Sequence, residues 1–336
     1  MLNPPDPHDG ILAIDTHVDI PWPSGPSPFE DGGRCVDLPK LKAGRIAAVC
    51  FAAYVPQAAR DAAGHEAATE RARRMLEAIA AMAPADGSGG VLAVTADAIE
   101  AAFAAGRTGI IPAIENGYAI GRDISLLDEF AGRGVRYITL THNGHNEIAD
   151  AAIPRRDLGD AEAEHGGLSP FGVDVVGRMN ELGILVDVSH SSKKAMMQVT
   201  RLSRAPVVAT HSCIRALCDH PRNLDDEQLE ALRETGGLAQ ITMVSNFLRP
   251  NARARELTVA DIADHIDYAV RKIGVDHVGI GSDFDGGGGV SDFSNATQSP
   301  RLTRELARRG YGREELGKIW GGNFLRLLRK AEAVKG

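Results

Sequence analysis

Short apolar, β-branched runs recur along the chain, separated by longer stretches whose apolar positions fall at helical spacing. The runs cover residues 11–15, 46–52, 109–115, 137–142, 185–189, 207–211, 238–242 and 277–283. They are apolar throughout, not alternating, as strands buried on both faces of a parallel sheet are. A further short run, 91–95, is expected outside the main set. The stretches between carry helix signals. Residues 65–82 are rich in Ala, Glu and Arg, with Pro84 just beyond. Asp97 opens a short helix, with Glu100 at capping-box spacing. Ser169-Pro170 reads as an N-cap followed by proline at the first helical position, in a helix ending near Leu182-Gly183. Residues 225–234 close on Gly236-Gly237, and Thr258 caps a helix that runs to Ile273 and stops at Gly274. The last helix, 313–330, is interrupted near Gly321-Gly322.

Eight strands alternating with helices over about 270 residues predict a (β/α)8 TIM-type barrel, with residues 1–336 as one domain. The rival is an open doubly wound sheet. No GxGxxG follows the first strand and no Walker loop is present. The run GGGGV at 286–290 follows a strand without a lysine or a helix start, and reads as a flexible loop.

A barrel of this kind builds its active site from loops at the carboxyl ends of the strands. The first strand runs into His17 and Asp19, whose spacing of two places both side chains on one side of an extended segment. The runs that follow end in Glu115, His142, His190, His211 and Asp283. Six of the eight strands thus deliver a titratable or metal-binding residue to one rim, and four of the eleven histidines lie there. Each alone reads equally well as a helix cap or a satisfied rim residue. Together, three carboxylates and four imidazoles buried without a cation would carry a large desolvation and repulsion cost.

A catalytic zinc takes about three protein ligands and keeps a position open for water. If Glu115 bridges, His17, Asp19 and Glu115 serve one ion, and Glu115, His190 and His211 the other. That suits a two-metal hydrolase site with ions about 3.5–4 Å apart and a hydroxide held between them as nucleophile. Asp283 is then free to shuttle the proton, and His142 to hydrogen-bond the forming oxyanion. Arg222, in a loop after the sixth strand, suits a substrate carboxylate, or else a surface salt bridge to Asp225 or Asp226.

Composition narrows the partners. Hydrophobic content is 43%, charged content 24% and formal net charge −8, with basic residues scattered, which argues for a soluble globular protein and against a nucleic-acid partner. The four cysteines form no CxxC pair and read as reduced and mostly buried. The opening MLNPPDPHDG shows no secretory pattern and no apolar stretch reaches a membrane span, so the expectation is a cytoplasmic protein without a membrane partner. A homodimer is the default assembly.

Several longer segments carry a resemblance: IDTHVDIPW, TLTHNGHNEIAD, GLSPFGVDVVGRMNELGILVDVSHSS, PVVATHSCIRALCDHPRNLDDEQLEAL, HVGIGSDFDG and GGNFLRLL. In order and content they resemble the membrane (renal) dipeptidase family, the M19 metallopeptidases. The resemblance implies a (β/α)8 barrel with two Zn2+ that cleaves dipeptides, often with a D-residue on the carboxyl side. It implies metal ligands His17, Asp19, Glu115, His190 and His211, with Glu115 bridging. His142 would polarise the substrate, Arg222 bind its carboxylate and Asp283 shuttle the proton. An amidase, β-lactamase or lactonase on the same site is the alternative, and a catalytically silent metal-binding barrel the third reading. The chain departs from the family where EGGH becomes ENGY, placing Asn116 and Tyr118, and where NGHN introduces His145.

Overall fold

The computed structural model describes residues 6–20 and 23–336; the opening MLNPP, and Pro21 and Trp22 at the end of IDTHVDIPW, lie outside the described residues. Nine strands form one parallel sheet: β1 (Ala13–Asp19), β2 (Ile46–Tyr54), β3 (Val91–Leu92), β4 (Gly109–Glu115), β5 (Tyr137–Thr139), β6 (Leu185–Asp187), β7 (Val208–Ser212), β8 (Leu238–Ile241) and β9 (Val278–Ile280). Their order is β1-β2-β4-β5-β6-β7-β8-β9, and β3 pairs β4 off that path, as expected of the extra run. The seam between first and last strands is closed by a bridge between Val18 and Phe284. Asp19 N donates to Phe284 O at 3.0 Å and Asp283 N to His17 O at 2.9 Å. Side chains also cross it: Thr16 Oγ1 donates to Ile280 O at 2.8 Å, and Ser282 N to Asp15 Oδ1 at 2.9 Å. The result is an eight-stave (β/α)8 barrel.

The strands are mostly apolar because both faces are covered, and their polar residues are concentrated toward the carboxyl ends. Every residue of β2 is buried except the half-buried Tyr54 at its carboxyl end. Each fully buried aliphatic side chain contributes about 1.5–3 kcal/mol, so this double-sided burial dominates the stability of the sheet.

The helices obey the capping signals with one correction. Ser169 accepts from Gly172 N ahead of Pro170–Leu182, and Thr258 caps Val259–Ile273. Asp225 forms a capping box with Gln228 at the start of Asp226–Glu234. In the helix Ala96–Ala104, however, Thr95 and not Asp97 is the N-cap: its extended backbone lets Oγ1 accept from Ala98 N at 3.1 Å. Asp97 lies in the first turn and pairs outward with Arg329. The expected interruption of the last helix is a π turn, Lys318–Gly322, between Arg313–Gly317 and Asn323–Ala333. A Cβ on Gly321 would lie 2.3 Å from Leu12 O, so the glycine lets this helix pass directly beneath the entry to β1.

Strand ends differ from expectation in a way that bears on the site. β1 is longer than its apolar run and carries His17 and Asp19 inside it. β5, β6 and β9 are shorter, so His142, His190 and Asp283 lie just past the ladder. All four cysteines are free thiols, Cys50, Cys213 and Cys218 being buried. Among the described residues, no helix is long and apolar enough to cross a membrane.

Candidate metal centre

The carboxyl ends of the staves bring all the expected ligands together. Glu115, the last residue of β4, is the hub. Its Oε2 lies 3.8 Å from His17 Nε2, while its Oε1 lies 3.1 Å from His190 Nε2 and 3.3 Å from His211 Nε2. The two oxygens thus face two different sets of partners. His17 Nε2 is also 3.6 Å from Asp19 Oδ1 and 4.0 Å from Asp283 Oδ1. His142 Nε2 approaches Glu115 Oε1 at 3.9 Å. Ligand atoms converge in three overlapping groups: His17, Glu115 and His211; Glu115, His142 and His190; His17, Asp19 and Asp283.

The imidazoles are held in one orientation from behind. Tyr137 Oη donates to Thr16 O at 3.0 Å, so it accepts from His17 Nδ1 at 2.8 Å. Thr210 Oγ1 donates to Asp187 Oδ2 at 2.7 Å and accepts from His211 Nδ1 at 2.9 Å. Asn143 Oδ1 accepts from His190 Nδ1 at 3.1 Å. In each case the proton sits on Nδ1, which leaves the Nε2 lone pair aimed into the cleft. Asp187 organises this rear layer. It accepts from Thr139 Oγ1 and Thr210 Oγ1 on one oxygen, and from Ser189 N and Thr210 N on the other.

Without a cation the cluster is in electrostatic conflict. Burial, reinforced by the charge of Glu115, raises the Asp19 carboxyl to about 6. Burial and Asp19 hold Asp283 well above the usual carboxylate range. Glu115 lies well below that range: burial opposes its ionisation, but His17, His190 and His211 overcome it. Burial would lower His17, yet Asp19 and Glu115 hold it well above its ordinary value. Burial and the neighbouring His17 push His211 down to about 3, and burial with Arg222 and His142 pushes His190 well down. Among the described residues, buried His17 Nε2, Asp19 Oδ1 and His211 Nε2 have no hydrogen-bond partner. Unpartnered atoms on two imidazoles and a carboxylate, gathered around Glu115 in overlapping groups, are the donor types of a divalent cation, so the residues fit a metal.

Two backbone features hold the acidic half. His190 (φ 65°) and Asp283 (φ 61°) both adopt the left-handed conformation rare for side-chain-bearing residues, a strain that concentrates at functional sites. The glycine run after Asp283 is not the flexible loop expected. Gly286 N and Gly288 N donate to Asp283 O at 3.1 and 2.7 Å, and Gly289 N donates to Met243 O at 3.0 Å. A Cβ on Gly286 would lie 2.3 Å from Asp283 Oδ1 and 2.8 Å from Asp19 Oδ2. The run backs tightly onto both carboxylates.

Arg222 is only 3% exposed, which excludes the surface salt bridge. Asp225 pairs instead with Lys193, and Asp226 with Lys272. The guanidinium lies 5.3 Å from the centre of the Phe247 ring and donates to His211 O at 3.3 Å, with Nε unpartnered. Burial lowers it to about 10, still a cation at neutral pH.

The three departures from the family pattern are structural. Asn116 (φ 89°) donates to Val55 O and accepts from Tyr118 N and Asn146 Nδ2. Tyr118 Oη donates to Ala59 O. His145 Nδ1 accepts from Ala151 N and Nε2 donates to Ala161 O, which ties the 143–168 loop to itself. Sequence reasoning missed Tyr137, Asn143, Asp187 and Thr210. The available signal was Asp187, a carboxylate inside the apolar run LVDVSH.

Residues 8–336 match the family described as membrane dipeptidase (Peptidase family M19). Dipeptidase tcpJ of Claviceps purpurea is 33% identical over 332 residues, 97% of this chain and 76% of the relative. Dipeptidase aclJ of Aspergillus oryzae is 40% identical over 230 residues, 68% of this chain; the match spans about half, 53%, of that relative's length. The crystal structure of the probable dipeptidase PvdM from Pseudomonas aeruginosa superposes with a TM-score of 0.92 at 29% identity, covering 98% of this chain and 97% of that one. A metallopeptidase from Rhodobacter sphaeroides, liganded with a phosphinate mimic of the dipeptide L-Ala-D-Ala, superposes at 0.84 with 30% identity, covering 96% and 100%. With the family match running through every stave of the barrel, the chain belongs to the membrane dipeptidase family, peptidase family M19.

Proposed function

We propose that this protein is a zinc-dependent dipeptidase whose two ions are held by His17, Asp19 and Glu115 on one side and by Glu115, His190 and His211 on the other. The observation that carries the reading is the divided carboxylate of Glu115, one oxygen toward His17 and the other toward His190 and His211. When bound, such ions supply Lewis acidity to the scissile carbonyl and lower the pKa of water.

The protein's own residues supply the rest. Asp283 sits on the acidic side and is not needed as a ligand. Its carboxylate takes the proton of the attacking water and delivers it to the leaving amine nitrogen. His142, kept neutral by burial, donates a hydrogen bond to the carbonyl oxygen as negative charge develops there. Arg222 binds the free carboxylate one residue beyond the scissile bond, a pairing open to its buried Nε, which has no other partner among the described residues. That anchor sets the carboxyl-side length of the substrate at one residue; a dipeptide limit further requires a group that holds the free amine. The phosphinate mimic of L-Ala-D-Ala held by the Rhodobacter relative extends the proposal to a D-residue on the carboxyl side.

The test is a panel of L,L and L,D dipeptides, their C-terminal amides, β-lactams and lactones, presented to zinc-loaded protein. Dipeptide turnover that collapses on amidation supports the reading. Turnover of β-lactams or lactones alone assigns the site to the amidase, lactamase or lactonase alternative. No turnover of any substrate overturns it.

A further inference from the structure

Three of the four site histidines are anchored through Nδ1, to Tyr137, Asn143 and Thr210. His142 is different. Among the described residues neither of its nitrogens makes a hydrogen bond; Glu115 Oε1 lies 3.9 Å from its Nε2. Terminal ring torsions are broad, so an imidazole without such an anchor needs something else to set its plane.

Two rings pack against it: His190, with ring centroids 4.1 Å apart and 35° between planes, and Tyr54, at 4.8 Å and 61°, an edge-to-face contact. Tyr54 ends β2 in register with Glu115 of β4, so its side chain projects from the same face of the sheet as the hub carboxylate. It is the one half-buried residue of an otherwise buried strand. Its hydroxyl makes no hydrogen bond among the described residues, and its ring packs against the His142 imidazole.

We propose that Tyr54 is the positioning residue of His142: its ring, with that of His190, clamps the imidazole in the plane from which Nε2 reaches the substrate carbonyl. The proposal rests on the oxyanion role given to His142 above. His190 is committed to Glu115 and Asn143, so Tyr54 is the wall of the clamp open to substitution without disturbing a candidate ligand.

The experiment is a double-mutant cycle of Tyr54→Leu and His142→Ala, with Tyr54→Phe beside it. Each zinc-loaded variant is assayed for dipeptide kcat and KM, and for affinity toward a phosphinate mimic of L-Ala-D-Ala, which resembles the tetrahedral transition state. Thermal midpoint and metal content identify variants that fail to fold. Misplacement of a catalytic group costs on the order of 10- to 100-fold. Tyr54→Leu is expected to lower kcat and phosphinate affinity by about that factor with KM little changed, and Tyr54→Phe to recover most of the loss. In the His142→Ala background Tyr54→Leu is expected to cost nothing further. A full additional loss in that background overturns the clamp, as does a Tyr54→Phe variant as impaired as Tyr54→Leu. If His142→Ala alone leaves kcat and phosphinate affinity unchanged, the role of His142 falls and the clamp with it. A misfolded Tyr54→Leu leaves the decision to Tyr54→Phe, which keeps the ring, and to Tyr54→Ala.

Discussion

At the scale of single residues, the proposal divides the site's work between groups that would hold a cation and groups that would meet the substrate. It places Asp283 with the second set, since His17, Asp19 and Glu115 already complete one triad. Asp283→Asn should therefore lower kcat by about 10²–10⁴-fold while metal content stays at the wild-type level; normal turnover would remove the proton shuttle from the account. Arg222 is a buried cation with no carboxylate partner among the described residues, an arrangement that costs stability unless a ligand supplies the missing charge. A hydrogen bond to a charged group contributes about 1.5–3 kcal/mol. Arg222→Met is accordingly expected to raise KM for a free dipeptide by roughly 10- to 100-fold, and to leave a C-terminally amidated dipeptide unaffected. Equal losses on both substrates would show that Arg222 does not read the carboxylate.

At the scale of elements, the barrel explains why so much could be read in advance. Gly109–Glu115 coincides with its apolar run, and the Ser169-Pro170 and Thr258 signals mark true helix starts. Both arise from local chemistry: continuous apolarity, or a hydroxyl facing free backbone amides. Tyr137, Asn143 and Thr210 were not legible because their value lies in contacts with residues distant in sequence. Tyr137 meets His17 across 120 positions. The glycine run 286–289 was misread for the same reason: glycine signals freedom locally, whereas here it permits close approach to two carboxylates. Gly286→Ala tests this reading. A methyl group 2.3 Å from Asp283 Oδ1 must push the acids apart, so turnover and metal retention should fall while the thermal midpoint of the metal-free protein changes little. An alanine variant with wild-type turnover and metal content would restore the flexible-loop reading.

At the scale of the whole molecule, the two ends of the chain meet away from the metal centre. His8 Nδ1 lies 2.6 Å from Thr303 Oγ1, which also accepts from Trp320 Nε1, and the imidazole packs edge-on against Trp320. Burial, helped by the charge of Arg45, lowers His8 to about 4. The unfolded chain, with an ordinary histidine near 6.5, then binds more protons than the folded one between those values. The His8 contribution to stability is complete above pH ~6.5 and is lost as pH falls toward about 4. Thermal midpoints measured across that window should decline less steeply in His8→Gln than in the wild type; parallel slopes would dismiss His8 as the acid-sensitive group. The central claim, though, concerns the rim, where family membership, the divided Glu115 and the unpartnered His17, Asp19 and His211 atoms support a metal site, for which the proposal is paired cations. Its most direct test is zinc stoichiometry by elemental analysis of the wild type and Glu115→Gln, each equilibrated with zinc. The account predicts about two ions per chain in active wild-type protein and a loss from both positions in Glu115→Gln. A fully active wild type holding one ion, or a Glu115→Gln variant retaining two, would contradict it.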